Sequence, residues 1–375
     1  MKQEKKIKIL FAINHLGIGG AEKMVVGQIN SIDRQIFDPF LLTIYPQPEL
    51  NFLTEVNLSL DHKFGLIFKS VFDLMSWWRL LNFLRRENFE VVITNLFNTN
   101  CVVRLAAIIC RRSLILSYEH NIYADKKKWQ IWVDRFLALF TYKIIVGSTQ
   151  VLKFTRQQEH LSKQKFLLDF NSADLVYSSA KQRRHEVLEK MGLEKEKTYI
   201  VTAGRLIEQK GHQYLIKAAV ILTEKYPQVI FLIFGKGVLG VSLQKQILDL
   251  GLSNQVRLMG IGPMEEIVAI SDIFVLPSLW EGLSIALVEA MNSCSPIVAT
   301  KISGTEDVLE NEKNSLLVPA GDSEQLVLAL QKLLEDSNLT TKLAKAAQER
   351  SEDFSIQENI KKIEQLILGY FEHGS

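Results

Sequence analysis

The sequence is poor in cysteine and proline and has no long uncharged apolar run. Its three cysteines, Cys101, Cys110 and Cys294, are odd in number and scattered. That excludes a disulfide framework and fits a reducing compartment. Eight prolines in 375 residues exclude a proline-rich, low-complexity architecture. A net charge of only +2 accompanies the expectation of no nucleic-acid partner. The N-terminus is basic and Ile7–Ile13 is apolar, as at the start of a signal peptide. The run stops at Asn14-His15, too short for a membrane span, and no small-residue cleavage site follows. It reads as a buried first strand of a cytoplasmic protein.

What is present is a chain rich enough in apolar residues (47%) to bury a core, and long enough for two domains. Residues 1–180 carry 23 Lys and Arg against 16 Asp and Glu, a net of +7; residues 181–375 carry 21 against 26, a net of −5. The asymmetry points to different partners for the two halves, with chance asymmetry as the plainer alternative. Apolar runs of strand length alternate with helical patterns. The first series is Ile7–Ile13, Phe40–Tyr45, Val91–Thr94, Leu114–Tyr118 and Ile144–Val146. The second is Tyr199–Ala203, Val229–Phe234, Val256–Met259, Ile273–Leu276 and Pro296–Thr300. Continuous apolar strands alternating with helices predict parallel sheets buried on both faces. Two series predict an α/β protein with two Rossmann-like, doubly wound domains. The boundaries are drawn at 1–178 and 179–354. An amphipathic last helix follows at 355–375, and Gly192 closes a helix near the domain junction.

Several loops carry chemistry. Leu16-Gly17-Ile18-Gly19-Gly20-Ala21-Glu22 joins the first strand to a helix, where glycines admit a ligand to the backbone and the helix N-terminus attracts anions; an ordinary tight strand–helix turn reads equally well. The spacing is wrong for a dinucleotide fingerprint, and no acid ends the second strand. Gly204-Arg205-Leu206-Ile207-Glu208-Gln209-Lys210-Gly211 sets two cations, Arg205 and Lys210, at the carboxyl end of the first strand of the second series. A guanidinium fork and an ammonium suit a diphosphate. A surface Arg and Lys beside a turn is the plainer reading. Farther on, Pro277-Ser278-Leu279-Trp280-Glu281-Gly282-Leu283-Ser284 leads from a buried strand into a helix that contains Glu289. That helix start offers free N–H groups to a phosphate. Glu289 sits among Val288, Ala290 and Met291, and a buried acid needs partners, which ligand hydroxyls would supply. A solvent-facing helix acid is the alternative. His120 ends a strand; taken alone it is more often a satisfied structural residue than a catalytic one.

These motifs, in this order, resemble family 4 (group 1) of the retaining glycosyltransferases. The Glu-x7-Glu signature is matched by Glu281 and Glu289, with Gly-Arg-Leu-x-x-x-Lys-Gly and Gly-Gly-Ala-Glu upstream. The resemblance implies a GT-B fold, two such domains facing an interdomain cleft, with the last helix packing back on the first. It implies a retaining hexosyltransferase that uses a nucleotide diphosphate sugar, preferably a UDP-sugar, and a glycan or lipid-linked acceptor in surface polysaccharide or lipopolysaccharide biosynthesis. By the same resemblance Arg205 and Lys210 bind the diphosphate, and Glu281 contacts the transferred sugar. Glu289 holds the ribose, and Gly19, Gly20, Leu283 and Ser284 cradle phosphates. The base rests by Arg257–Gly260, and His120 touches the sugar. No metal and no cofactor are implied. Two segments depart from the family: Asn171-Ser172-Ala173-Asp174 near the hinge and Ser303-Gly304-Thr305-Glu306.

Other readings are a non-catalytic nucleotide-sugar sensor or subunit, and an epimerase or phosphorylase on the same fold. Two basic, Trp-containing stretches, Lys63–Phe89 and the one opening at Lys126-Lys127-Lys128-Trp129, predict weak, salt-sensitive contact with an anionic membrane. An ordinary core-packed helix with a cationic outer side is the alternative.

Overall fold

The computed structural model describes residues 5–70, 72–111, 113–122 and 126–373. The chain divides into two compact units, Met1–Ala173 with Ile356–Ser375, and Asp174–Ser355. The division therefore precedes the 178/179 boundary drawn from the sequence. The Ser-rich turn and charged run used to place that boundary already belong to the second unit.

Unit 1 begins with β1 (Ile7–Ile13), α1 (Gly20–Ser31), β2 (Phe37–Thr43), β3 (Lys63–Gly65), α2 (Leu74–Glu87) and β4 (Val91–Asn95). It continues with α3 (Phe97–Cys110), β5 (Leu114–Glu119), α4 (Lys128–Phe140), β6 (Lys143–Val146), α5 (Thr149–Glu159) and β7 (Phe166–Leu168). The seven strands form one sheet in the order β3-β2-β1-β4-β5-β6-β7, with every pairing parallel. Ile9 through Ile13 and Val91 through Ile93 are buried, as a two-faced parallel strand requires. The second strand starts earlier than expected and includes Pro39 opposite Ile9. Proline reads as a strand breaker, but near a strand's start its missing N–H is tolerated.

Local signals set the helix ends. The Asp73 carboxylate accepts from Ser76 N at 3.2 Å to cap α2, and Asn88 ends it in the left-handed region at φ 53°. Lys63–Phe89 is thus not one amphipathic element: its start is the edge strand β3, and only Leu74–Glu87 is helical.

Unit 2 contains α6 (Arg184–Lys190), β8 (Thr198–Ala203), α7 (His212–Lys225), β9 (Val229–Phe234), α8 (Gly240–Asp249), β10 (Val256–Gly260) and α9 (Met264–Ile270). There follow β11 (Ile273–Leu276), α10 (Ile285–Asn292), β12 (Ile297–Thr300), α11 (Ser303–Glu306), β13 (Leu316–Val318), α12 (Ser323–Glu335) and α13 (Ser337–Ser351). Its six-stranded sheet has the order β10-β9-β8-β11-β12-β13, again all parallel. All six residues of β9, Val-Ile-Phe-Leu-Ile-Phe, are buried. They alternate between a core of Ile216, Leu222 and Leu330 on one face and one of Val187, Val268 and Phe274 on the other. Gly192 follows α6 at φ +64°, the left-handed position expected of it.

The last helix, α14 (Ile356–His373), returns to unit 1. Ile356 N donates to Ala173 O at 2.9 Å, Gln28 Nε2 to Asn359 Oδ1 at 2.8 Å, and Asn359 Nδ2 to Asp169 Oδ2 at 2.5 Å. Its amphipathic pattern buries Ile356, Ile360, Ile363 and Ile367.

Candidate active site

Each sheet has a switch point, where strand order reverses and the loops at the strands' carboxyl ends diverge to leave a crevice. In unit 2 it lies between β8 and β11. The loop after β8 carries Gly204, Arg205 and Lys210, and the loop after β11 carries Ser278 and Glu281. The two loops meet. Lys210 Nζ forms a short ion pair with Glu281 Oε1, and Ser278 Oγ donates to Glu281 Oε2 at 2.9 Å. The side chains of this pair are only 10% and 12% exposed.

Backbone shape brings them together. Gly211 sits at φ +62°, where a Cβ would overlap the Pro277 carbonyl oxygen. Only glycine lets the β8 loop lie against the β11 strand end in that conformation. Thr300 Oγ1 donates to Ser278 O at 2.5 Å, fixing the second loop from β12. An ammonium has three donors, so Lys210 can keep Glu281 and still meet a phosphate oxygen. Arg205, on the same loop, is exposed.

Beyond the loop, Ser284 is the N-cap of α10 and no side chain caps the helix there. The N-terminal amides of α10 have no intrahelical acceptors, which makes this end suited to an anion. Glu289 is buried at 4% exposure, so it is not a solvated helix acid. Tyr177 donates its hydroxyl to Glu289 Oε1 at 2.9 Å, and Tyr177 N donates to Asn292 Oδ1 at 2.9 Å. Burial, with the Glu289 charge adding to it, pushes the Tyr177 hydroxyl far above its ordinary pKa, so it stays a donor. Leu283 and Ser284 are buried beside the Glu281 loop, and Gly260 ends β10 at φ +75°.

In unit 1 the switch point lies between β1 and β4. Gly19 and Gly20 stand at the N-terminus of α1, again without a side-chain cap. His120 follows β5, 5% exposed. Its Nε2 lies 2.9 Å from Asn95 Oδ1 and its Nδ1 lies 3.4 Å from Asn171 Oδ1. Its ring stacks on Tyr118 at 5.2 Å with 7° between planes. Burial pushes the imidazole down to about 4, so it is neutral at pH 7. A neutral, buried, hydrogen-bonded ring suits positioning and donation through one N–H better than carrying protons at neutral pH.

Sequence reasoning gave no role to Ser278, Tyr177, Gly304, Asn95 or Asn171. Ser278 stands three residues before Glu281 in the quoted motif, a signal that was available. Gly304 was noted only as part of a departure, yet a Cβ there would overlap the backbone oxygens of Glu281 and Gly282. That glycine therefore lets α11 close against the Glu281 loop. Tyr177 lies 112 positions from its partner Glu289, and no local pattern links them.

Residues 183–350, nearly all of unit 2, match the family profile "Glycosyl transferases group 1". The Escherichia coli UDP-Gal:alpha-D-GlcNAc-diphosphoundecaprenol alpha-1,3-galactosyltransferase is 25% identical, with 79% of each chain covered. An uncharacterized glycosyltransferase of Haemophilus influenzae is 25% identical over 95% of this chain and 98% of that one. Among solved structures, Anabaena HepE in complex with UDP-glucose superposes with a TM-score of 0.84 at 20% identity, covering 97% of this chain and all of that one. The fold is GT-B, and the match to the group 1 glycosyl transferases lies within unit 2.

Proposed function

We propose that this chain transfers a hexose from a UDP-sugar to a glycan or lipid-linked acceptor, retaining the anomeric configuration, in the assembly of a surface polysaccharide or lipopolysaccharide. The observation that carries the reading is the Lys210–Glu281 pair, held with Ser278 at the switch point of unit 2. Breaking a sugar–phosphate bond moves negative charge onto the departing diphosphate. Lys210, Arg205 and the amides at Leu283 and Ser284 stabilise that charge most when it is fully formed, which is what accelerates the step. Glu281 orients the Lys210 ammonium and meets the sugar near its reacting carbon. Glu289, steadied by Tyr177, takes the ribose hydroxyls, and the base lies by Gly260. In unit 1, Gly19 and Gly20 at the start of α1 suit close approach of a phosphate to the backbone, and His120 suits contact with a sugar. The donor class is supported by the E. coli relative, named for a UDP-galactose reaction on a diphosphoundecaprenol acceptor, and by HepE, solved with UDP-glucose.

The test is a panel of UDP- and GDP-sugars incubated with the full chain, with release of the free nucleotide measured. Slow hydrolysis of one UDP-sugar without acceptor is expected, abolished in Glu281→Ala. Tight donor binding with no turnover, even with lipid-linked acceptors added, would convert the reading to that of a sensor.

A further inference from the structure

Strands β3, β4, β5 and β6 are met in that order on crossing the sheet of unit 1, with β2 and β1 between the first two. Every crossover from β3 to β6 therefore steps the same way. Right-handed connections lay α2, α3 and α4 in one layer on one face of the sheet, and α3 packs against both α2 and α4. The outside of this layer is apolar where a solvated surface would be polar. Leu74 and Trp78 of α2 are 80% and 61% exposed, and Phe72, just before it, is 85% exposed. On α4 Trp132, Phe136 and Leu139 are 70%, 53% and 68% exposed.

Helix α4 buries Leu137 and Ala138 but also an acid. Its inner side buries Asp134, ion-paired to Lys126 at 2.8 Å and to Arg104 at 3.5 Å, while its aromatic residues face out. Single exposed apolar residues need no explanation, but large ones on two helices of one layer do.

The same face is cationic. Arg79, Arg85 and Arg86 share with Phe64, Trp78 and Phe83 an open groove of about 730 Å³. Among the described residues neither Arg79 nor Arg85 is ion-paired. The nearby acids are committed: Asp73 caps α2, and Glu87 pairs with Lys8 and Arg86. Lys127 and Lys128 stand exposed at the start of α4. Lys126 does not join them, because it is withdrawn into the buried cluster.

Aromatic and aliphatic side chains beside exposed cations match the headgroup region of an anionic bilayer. A second copy fits worse, since a two-fold contact through this face sets the same arginines against each other. No described helix is long and apolar enough to cross a membrane, so the contact is one of lying on the surface.

We propose that the outer face of the α2–α4 layer docks on a bilayer containing anionic phospholipid, with Phe72, Trp78, Trp132 and Phe136 entering the headgroup boundary and the groove arginines on lipid phosphates. The proposal does not depend on the donor or on the residues of unit 2. The full chain is floated with vesicles of phosphatidylcholine, with and without phosphatidylglycerol. It co-floats with the phosphatidylglycerol vesicles at low salt and is released by molar salt. Each cation near the surface changes partitioning about fivefold, so Arg79→Glu with Arg85→Glu lowers it more than tenfold. Trp132→Ser with Phe136→Ser also lowers it at low salt. Unchanged melting temperature and donor turnover show that these variants fold, and Lys127→Ala with Lys128→Ala repeats the charge test at a second place. Absence of phosphatidylglycerol-dependent flotation at low salt overturns the proposal. So does undiminished flotation of the Arg79/Arg85 and Trp132/Phe136 double variants, or a concentration-dependent dimer that the Trp132/Phe136 variant dissolves while no lipid binds.

Discussion

Both units hold a lysine among carboxylates, and the two settings differ in what surrounds them. In unit 2 Lys210 meets Glu281 on loops at the carboxyl edge of the sheet, beside an exposed Arg205 and an uncapped helix start. In unit 1 Lys126 lies between Asp134 and Glu159, 2.8 Å from each, enclosed by α3, α4 and α5 with Arg104 adjacent. Burial pushes Glu119, in the same cluster, up to about 7, against the pull of Lys126. A charge pair at a strand's carboxyl edge can exchange one partner for a ligand. A pair sealed among helices can only hold them together. Location on the fold, more than residue type, separates chemistry from architecture.

That contrast breaks if mutations in the two clusters have the same consequence. Asp134→Ala leaves Lys126 and Arg104 short of a buried counter-charge, and loss of one partner of a sealed pair costs about 3–5 kcal/mol. Thermal or urea unfolding of the variant should show that loss, with turnover per folded molecule unchanged at low temperature. Near-normal stability would mean that water reaches the cluster.

Lys210→Ala should do the reverse. Removing one preorganised cation from the leaving diphosphate lowers kcat about 10²–10³-fold, while the melting temperature moves less than in Asp134→Ala. Single-turnover measurement of donor cleavage separates the chemical step from release. A variant that melts early but turns over normally would make Lys210 a structural lysine.

A smaller effect tests Tyr177. Its hydroxyl steadies a carboxylate and touches no reacting atom in the proposed site, so Tyr177→Phe should raise the donor KM roughly fivefold to tenfold with little change in kcat. A fall in kcat at constant KM would instead place Tyr177 at the reacting centre.

The same contrast explains what the sequence disclosed. The long strands were legible because parallel strands buried on both faces read as unbroken apolar runs: β1, β9 and β11 fall where those runs lie. The three-residue strands β3, β7 and β13 were not, since three residues carry no periodicity and two of these strands are sheet edges in unit 1. Arg205, Lys210, Glu281 and Glu289 could be picked out because polar residues beside apolar strands and helices stand out locally. Of their partners, Ser278 is close enough to Glu281 in sequence to be read with it, but Tyr177 reaches Glu289 only after the chain has folded, and Asn171, which meets His120, looks like a loop residue. The inward Asp134 and outward Trp132 were hidden for another reason. A helical pattern shows that charged and apolar residues take opposite sides, but not which side meets the sheet.

The smallest expected effect lies where α14 joins unit 1, and it concerns pH. Asp169 is 1% exposed and accepts from Asn359 Nδ2 at 2.5 Å, with Lys362 Nζ at 3.5 Å. Burial raises its carboxyl to about 6, with Lys362 opposing. Between its ordinary pKa near 3.8 and about 6 the folded chain keeps a proton there that the unfolded chain has released. More protons bound in the folded state means that stability falls as pH rises through that window. Asp169→Asn removes the titration, so its melting temperature relative to the natural chain should climb from pH 4 to pH 6 and then level off. A difference that stays flat, or that shrinks with rising pH, would show that water or Lys362 keeps the carboxylate charged and that α14 is clasped by an ion pair.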